Sequence, residues 1–536
     1  MHDVVIRGGM LIDGTGSPAI PRDVAIDGTK IAGTYKHSEG KASMIIDAYG
    51  MIVCPGFIDI HSHSELHLLS NPLAESKIRQ GVTTELVGNC GSSPAPAIGA
   101  AKDALQDYAN LLDIDIDWAT LDEYFLRLSN LRTSVNVASL VGASNLRMSV
   151  MGAVDAKPDD EQLERMNRLL AESMLAGAYG LSSGLIYAPG CYASTEELIS
   201  LSSTCASLGG FYTSHIRGEG RTLVKAVEEA IRIGREAKTR VEISHHKACG
   251  KANWGAVDRT LDMIEDAREN GVDVAFDVYP YTASSTTLDS ILPPWAREGT
   301  KDEILARLRN PELRMRLIRE FTTPSEDWEA IAAETGWGNV VLVGFHKDAN
   351  KRFENKSVAE IAKELEKDPA DVALDLIIDE ELMLYAIFHE ISEEDMMKVL
   401  SHPLATIGSD GEAEAPYGPT GKSATHPRAY GTFPRVLRRY AIDRKLFTLE
   451  EAIRKMTSWP ADRIGLKNRG TIAKGLAADV VVFDPRKIID LATYERSHAY
   501  PAGVELVLVN GAVTISHGGH TKEREGQVLR HQPDIS

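Results

Sequence analysis

The chain has 536 residues, 43% hydrophobic and 25% charged, with 58 Lys+Arg against 77 Asp+Glu for a formal net charge of −19. These are the proportions of a folded globular protein, and the length exceeds the roughly 250–300 residues at which one core stops growing, so one large domain with additions is expected. The acidic balance excludes a general nucleic-acid backbone binder, no run reaches the ~18 apolar residues of a membrane span, and no apolar core of a signal peptide opens MHDVVIRGGMLID.

In chain order, the first 50 residues read as short strands with Gly and Asp turns: VVIRGG, MLIDGTG, DVAIDGTKIAG and SMIIDAYG. The middle alternates short apolar runs with helical patterns, as parallel βα units do. The strand candidates are GFIDIHSH (56–63), TTELVGNC (83–90), VNVASLVG (135–142), AYGLSSG (178–184), GFYTSHIR (210–217), VEISHHK (241–247), DVAFDVYPY (273–281) and ATIGSDG (405–411). Helical periods fill the gaps, among them DDEQLERMNRLLAESMLAG, which follows Pro158 and opens with acidic side chains. The economical fold is a (β/α)₈ TIM-type barrel over residues 55–465. An open doubly wound sheet is the rival, weakened because no GxGxxG turn opens the first unit. The long gap between strands seven and eight predicts an insertion at 288–345, a candidate lid. GTIAKG, ADVVVFDP, VELVLVNG and AVTIS near the far end are again strands. Residues 1–54 and 466–525 are therefore expected to form one small β-sandwich domain built from both termini, against the alternative of two unrelated flanks.

The chemistry lies where the strands end, since active sites of such barrels occupy the C-terminal rim. There the chain offers His61 and His63, Cys90, His215, His245 and Asp410, a donor set suited to Zn²⁺. His61 and His63 are two apart and share a face. His245 and His246 face opposite ways; His245 is preferred because Lys247 shares its side and would approach the pocket mouth. A bound Zn²⁺ points to hydrolysis, with Asp410 taking a proton from water and passing it to a leaving amine. Lys247, Arg217, Tyr187, Tyr279, Tyr281 and Arg428 on the same rim indicate an acidic substrate. The five cysteines, Cys54, Cys90, Cys191, Cys205 and Cys249, are too scattered for a disulfide framework, which with the missing signal sequence leads to the expectation of a cytoplasmic protein.

PGFIDIHSH, GVTTELVGNCGSSPAP, YTSHIRGEG, EISHHK, DVYPYTASST, GSDG and HPRAYGTFPR together resemble the N-acyl-D-amino-acid deacylase (D-aminoacylase) branch of the amidohydrolase superfamily, from about residue 3 to about 515. The resemblance implies the barrel with its two-ended β domain, and a cysteine where many superfamily members carry a carboxylated lysine. It implies a tightly bound zinc on Cys90, His215 and His245, and a second, weaker position on His61, His63 and Asp410 with Cys90 shared. Asp410 would be the general acid/base. Lys247, a tyrosine of the YPY turn (Tyr279 or Tyr281) and Arg428 would clamp the substrate α-carboxylate, with Tyr187 on the pocket wall. The implied partner is a small N-acyl-D-amino acid, with neither nucleic acid nor membrane. Two departures stand out: Ala143 in GASNLR replaces a frequent family histidine, and the HxH continues Ser64-Glu65. The alternative activities are a dipeptidase acting on C-terminal D-residues, and a cyclic-amide hydrolase of hydantoinase or dihydroorotase type, which Cys90 disfavours.

Overall fold

The structure is a computed structural model that describes residues 1–36 and 42–533. Eight parallel strands follow the expected order: Phe57–Asp59, Val82–Val87, Asn136–Ser139 continued by Val141–Gly142, Gly180–Gly184, Phe211–His215, Val241–Ile243, Val274–Val278 and Ala405–Ile407. Each pairs in parallel with the next. A parallel bridge between Ser62 and Gly411 brings the eighth against the first. All six residues of Val82–Val87 are buried, as in a strand covered on both faces by side chains inside and helices outside.

The outer helices begin where the sequence supplies caps. Asp159 accepts from the Gln162 backbone and the Gln162 side chain returns the bond, which starts helix Asp160–Leu175 two residues past Pro158. Thr120 and Glu123 do the same for Leu121–Leu131.

The strands are shorter than expected from the sequence. The first ends at Asp59, the second at Val87, the sixth at Ile243 and the eighth at Ile407. The reason is conformational: Cys90, His245 and Asp410 have φ of 51°, 36° and 53°, in the left-handed region that no strand can contain. His61, Cys90, His245 and Asp410 therefore sit on tight turns just above the strands, and His215 alone is a strand residue.

The two ends of the chain meet. Ile52–Pro55 pairs antiparallel with Val480–Phe483, within a seven-stranded sheet that also holds Met10–Leu11, Ile20–Pro21, Val504–Val509, Ala512–Ser516 and Gly519–His520. A four-stranded sheet, His2–Arg7 with Asp23–Asp27, Lys30–Tyr35 and Ala42–Asp47, packs against it through Val4, Ile6, Val24, Ile26, Val53, Val480 and Leu508. Two unrelated flanks could not share this core. The last described residues return to the barrel: Val528 bridges Val137, and Leu529 packs with Ile58, Ile60, Leu86 and Leu140 inside it.

Between strands seven and eight the expected 288–345 segment is one part of a larger excursion. Ser284–Thr287 pairs with Tyr385–Phe388, which pairs with Val340–Val343, which pairs with Lys356–Ser357. Helices Lys301–Arg309, Pro311–Glu320, Val358–Leu365 and Pro369–Asp379 cover this sheet around its own core of Leu288, Leu308, Leu317, Leu342, Ile361 and Leu374. The pairing of residues a hundred apart leaves no local period in the sequence.

Candidate metal centre and substrate cavity

Four turns above the strands and the end of the fifth strand bring five chain segments to one point. Cys90 Sγ lies 3.3 Å from His61 Nε2, 3.5 Å from His245 Nε2 and 3.9 Å from His215 Nδ1. Donor atoms of His61, Cys90, His245 and Asp410 all lie within 4.8 Å of one another. His63 Nε2 stands 3.1 Å from Asp410 Oδ1 at the edge of this group, half-buried where the others are buried. Glycine makes the approach possible: a Cβ on Gly184, at the end of the fourth strand, would lie 2.1 Å from the Cys90 carbonyl oxygen.

The group's chemistry fits a metal. Burial pushes the thiols of Cys54 and Cys249 up, and that of Cys205 up to about 12. Burial acts on Cys90 too, but His61, His215 and His245 outweigh it and hold its thiol well below the usual range. Cys90 is thus kept as the thiolate, the form that ligates. Sulfur, imidazole and carboxylate in one buried cluster form a donor set of the zinc type. His61 Nε2 faces the centre while its Nδ1 lies 3.0 Å from Asp277 Oδ2, which fixes the ring.

His246 resolves the His245/His246 choice. Its Nε2 lies 2.9 Å from Thr260 Oγ1 and its ring packs on Phe276, away from the centre. Asp410 is bound from both sides: Oδ1 is 3.2 Å from His61 Nε2, and Oδ2 accepts from Arg428 Nη1 at 2.7 Å. Burial raises its carboxyl, but Arg428, His245 and His61 overcome that and hold it well below the usual carboxylate range.

A cavity of about 370 Å³ opens on this centre. His63, Cys90, His215, His245, Asp410, Lys247, Arg428, Tyr187 and Tyr279 line it. Tyr187 meets the His215 ring edge-on at 5.0 Å. The Lys247 ammonium and the Arg428 guanidinium lie 5.6 and 5.2 Å from the Tyr279 ring centre, and the buried Tyr279 hydroxyl makes no hydrogen bond to any described residue. The lining also includes the apolar Leu66, Leu105, Met148 and Ile186, and Ser284–Thr287, Glu329 and Glu390 of the excursion.

Two expectations are corrected. Tyr281 does not line the cavity: its hydroxyl donates to the Pro427 carbonyl at 3.3 Å and its ring lies under Arg435. The turn that sets the Tyr281 N–H on the Tyr279 carbonyl at 3.0 Å breaks strand alternation, so the two tyrosines separate. Arg217 is also elsewhere, bound to Glu229 at 2.8 Å and to the carbonyls of Cys191 and Ala193. Ala143 starts helix Ala143–Met151 outside the lining, and its neighbours Ser144, Asn145 and Met148 face the cavity.

Three functional neighbours escaped the sequence reading. Asp277 orients His61 and also accepts the His245 backbone N–H at 2.9 Å. Glu219, in HIRGEG, receives Lys247 at 2.5 Å. Lys77 is fully buried behind the turns, 2.8 Å from Asp59 Oδ2, 2.7 Å from Ser409 Oγ and 2.8 Å from the Gly411 carbonyl. A polar residue inside an apolar strand was a signal for Asp277; Lys77, on a short helix, offered none.

Residues 44–515 match the model of the Amidohydrolase family. N-acyl-D-glutamate deacylase of Alcaligenes xylosoxydans xylosoxydans is 37% identical over 536 residues, covering 100% of this chain and 98% of the relative. D-aminoacylase of the same organism is 36% identical over 531 residues, 98% of this chain and 97% of the relative. The crystal structure of N-acyl-D-glutamate deacylase from Bordetella bronchiseptica superposes with a TM-score of 0.82 at 34% identity, covering 99% of each chain. That structure holds zinc and a phosphonate inhibitor, a mimic of the reaction's tetrahedral intermediate.

Proposed function

Because this chain belongs to the amidohydrolase family, we propose that it is a zinc-dependent deacylase that hydrolyses N-acyl-D-amino acids to a carboxylate and a free D-amino acid. The observation that carries this reading is the convergence of His61, Cys90, His245 and Asp410 within 4.8 Å, with His215 adjoining, at the floor of a cavity bearing Lys247, Tyr279 and Arg428.

Cys90, His215 and His245 would hold the tightly bound zinc, with His61, His63 and Asp410 at a second, weaker position. When bound, zinc supplies Lewis acidity that polarises a carbonyl and eases deprotonation of water. The chain's own residues supply the rest. Lys247, Arg428 and the Tyr279 hydroxyl bind the α-carboxylate and so orient the scissile amide. Tyr187 closes the wall beside His215. Asp410 accepts a proton from the attacking water and returns it to the amide nitrogen, so that a neutral amine departs as the C–N bond breaks.

The wall favours particular side chains. Lys247 and Arg428 are the lysine and arginine of the lining, both placed at the carboxylate anchor, while Glu329, Glu390 and Glu412 share the cavity. A second carboxylate on the substrate would enter a buried group of carboxyls where burial already pushes those of Glu329 and Glu390 up, whereas an apolar side chain meets Leu66, Leu105, Met148 and Ile186.

The test is turnover by the zinc-loaded protein of N-acetyl-D-leucine, N-acetyl-D-methionine and N-acetyl-D-glutamate against their L-enantiomers. Hydrolysis of the D-compounds, with leucine and methionine ahead of glutamate, is the expected result. Preference for L-substrates, or turnover of none, overturns the proposed activity, and glutamate in the lead overturns the side-chain assignment alone.

A further inference from the structure

Glu219 sits in the loop after the fifth strand, 5% exposed, on the cavity lining beside the metal centre. Cys90 faces His245 through Nε2 and His215 through Nδ1. Each ring therefore turns its other nitrogen away from the centre, and both of these nitrogens meet the same carboxylate. His245 Nδ1 lies 2.9 Å from Glu219 Oε1, and His215 Nε2 lies 3.8 Å from Glu219 Oε2. The two rings stand edge to face, 4.4 Å apart, so one carboxylate spans them. His215 Nε2 is buried and makes no hydrogen bond to any described residue; Glu219 Oε2 is the acceptor placed to take its proton after a small approach.

The same Oε1 also receives the Lys247 ammonium at 2.5 Å, and Lys247 donates to the His245 carbonyl at 2.7 Å while its Nζ stands 2.9 Å from His245 Nδ1. A histidine that binds metal through Nε2 carries its proton on Nδ1, so a metal-bound His245 donates to Glu219, and the ammonium beside Nδ1 is then a second donor to that oxygen. Glu219 is itself held in place. Its N–H donates to Glu329 Oε1 at 3.0 Å, and its carbonyl accepts from the Cys249 N–H at 2.8 Å.

We propose that Glu219 is a positioning residue that orients both histidines of the tight metal site and, through Lys247, couples them to the substrate-carboxylate anchor. This rests on the deacylase reading for the role of Lys247, but its first readout is metal binding, which needs no substrate. Fixing the far nitrogen selects the tautomer and raises the basicity of the ligating one, and loss of such a partner typically costs about 10–100-fold in metal affinity.

The experiment compares the wild type with Glu219→Gln, which keeps the shape and removes the charge. Zinc affinity is measured by chelator competition, the Co²⁺-loaded protein is followed by its d–d and thiolate charge-transfer bands, and KM and kcat are measured separately. A zinc affinity about 10–100-fold weaker, an altered Co²⁺ spectrum and a raised KM are expected, with Glu219→Asp recovering part of the affinity. Lys247→Met should raise KM and weaken zinc binding by less than Glu219→Gln does, because it leaves the carboxylate on both rings. If Glu219→Gln does not fold, Glu219→Asp carries the test, because withdrawing the carboxylate by one methylene still perturbs the Co²⁺ spectrum. Unchanged zinc affinity and spectrum in Glu219→Gln overturn the proposal. So does loss of a second metal equivalent with the first intact, which would make Glu219 a ligand. Absence of D-amino-acid deacylation by the wild type would instead overturn the activity and leave the metal-binding result standing.

Discussion

Arg428 Nη1 lies 2.7 Å from Asp410 Oδ2, and both side chains are buried. Eighteen positions apart, they come from the turn after the eighth strand and from the first residue of helix Arg428–Arg435. The guanidinium keeps one carboxylate oxygen occupied and ionised, which leaves the other facing His61 and His63. Asp410→Asn retains the shape and loses the base. It is expected to lower kcat by about 10²–10⁴-fold while the tightly bound zinc and the melting temperature stay close to wild type, and near-normal turnover would remove Asp410 from this role.

The same pair sets a pH dependence. Burial alone would raise the Asp410 carboxyl, and Arg428 is the largest of the charges that hold it down. A depressed group stays ionised until the pH falls through its lowered value, so the acid limb due to Asp410 lies below the ordinary carboxylate range near pH 4. Arg428→Gln should move that limb of the kcat/KM profile to higher pH and raise KM. A limb that does not move would show that another group sets it.

Cys90 differs from the other buried cysteines because three imidazoles surround its sulfur. In the metal-free protein, iodoacetamide should label Cys90 before Cys54, Cys205 or Cys249, and added zinc should protect it, as read by peptide mass spectrometry. Cys90→Ala should lose zinc by elemental analysis. Unchanged zinc content in that variant would take sulfur out of the ligand set.

Lys77 joins the turns of the first and eighth strands from below, bonding to Asp59, Ser409 and the Gly411 carbonyl. Lys77→Met leaves Asp59 charged and unpaired in a buried site. A loss of about 3–5 kcal/mol is expected in urea unfolding, with partial recovery when Asp59→Leu is added. A loss below about 1 kcal/mol would show that the network relaxes or admits water.

His67 should destabilise the fold in mild acid. Burial lowers its imidazole from 6.5 to about 4, and Nδ1 makes no hydrogen bond to any described residue. The unfolded chain takes up a proton as the pH drops through 6.5, whereas the folded chain refuses it until about 4. Acidification through this window therefore favours unfolding, by about 1.4 kcal/mol per pH unit. Urea midpoints of His67→Leu should fall less than wild type between pH 7 and pH 4.5. An equal fall in both proteins would assign the acid sensitivity elsewhere.

Local patterns carried the barrel. Apolar runs such as TTELV, interleaved with capped amphipathic helices, state the βα alternation directly, and an alternating unit closes with few choices of topology. Cys90, His215, His245 and Asp410 were legible because each stands at the end of such a run. The tertiary structure decided what depends on contacts distant in the chain. It joined Ile52–Pro55 to Val480–Phe483, extended the excursion to the strand at 385–388, and sent Tyr281 away from the cavity while Tyr279 stayed. It also placed Glu219, Asp277 and Lys77 around the centre, where their partners lie 26, 216 and 332 positions away. A buried charge is stabilised by whatever opposite charge the fold brings beside it, and residue type and local period contain no record of that neighbour.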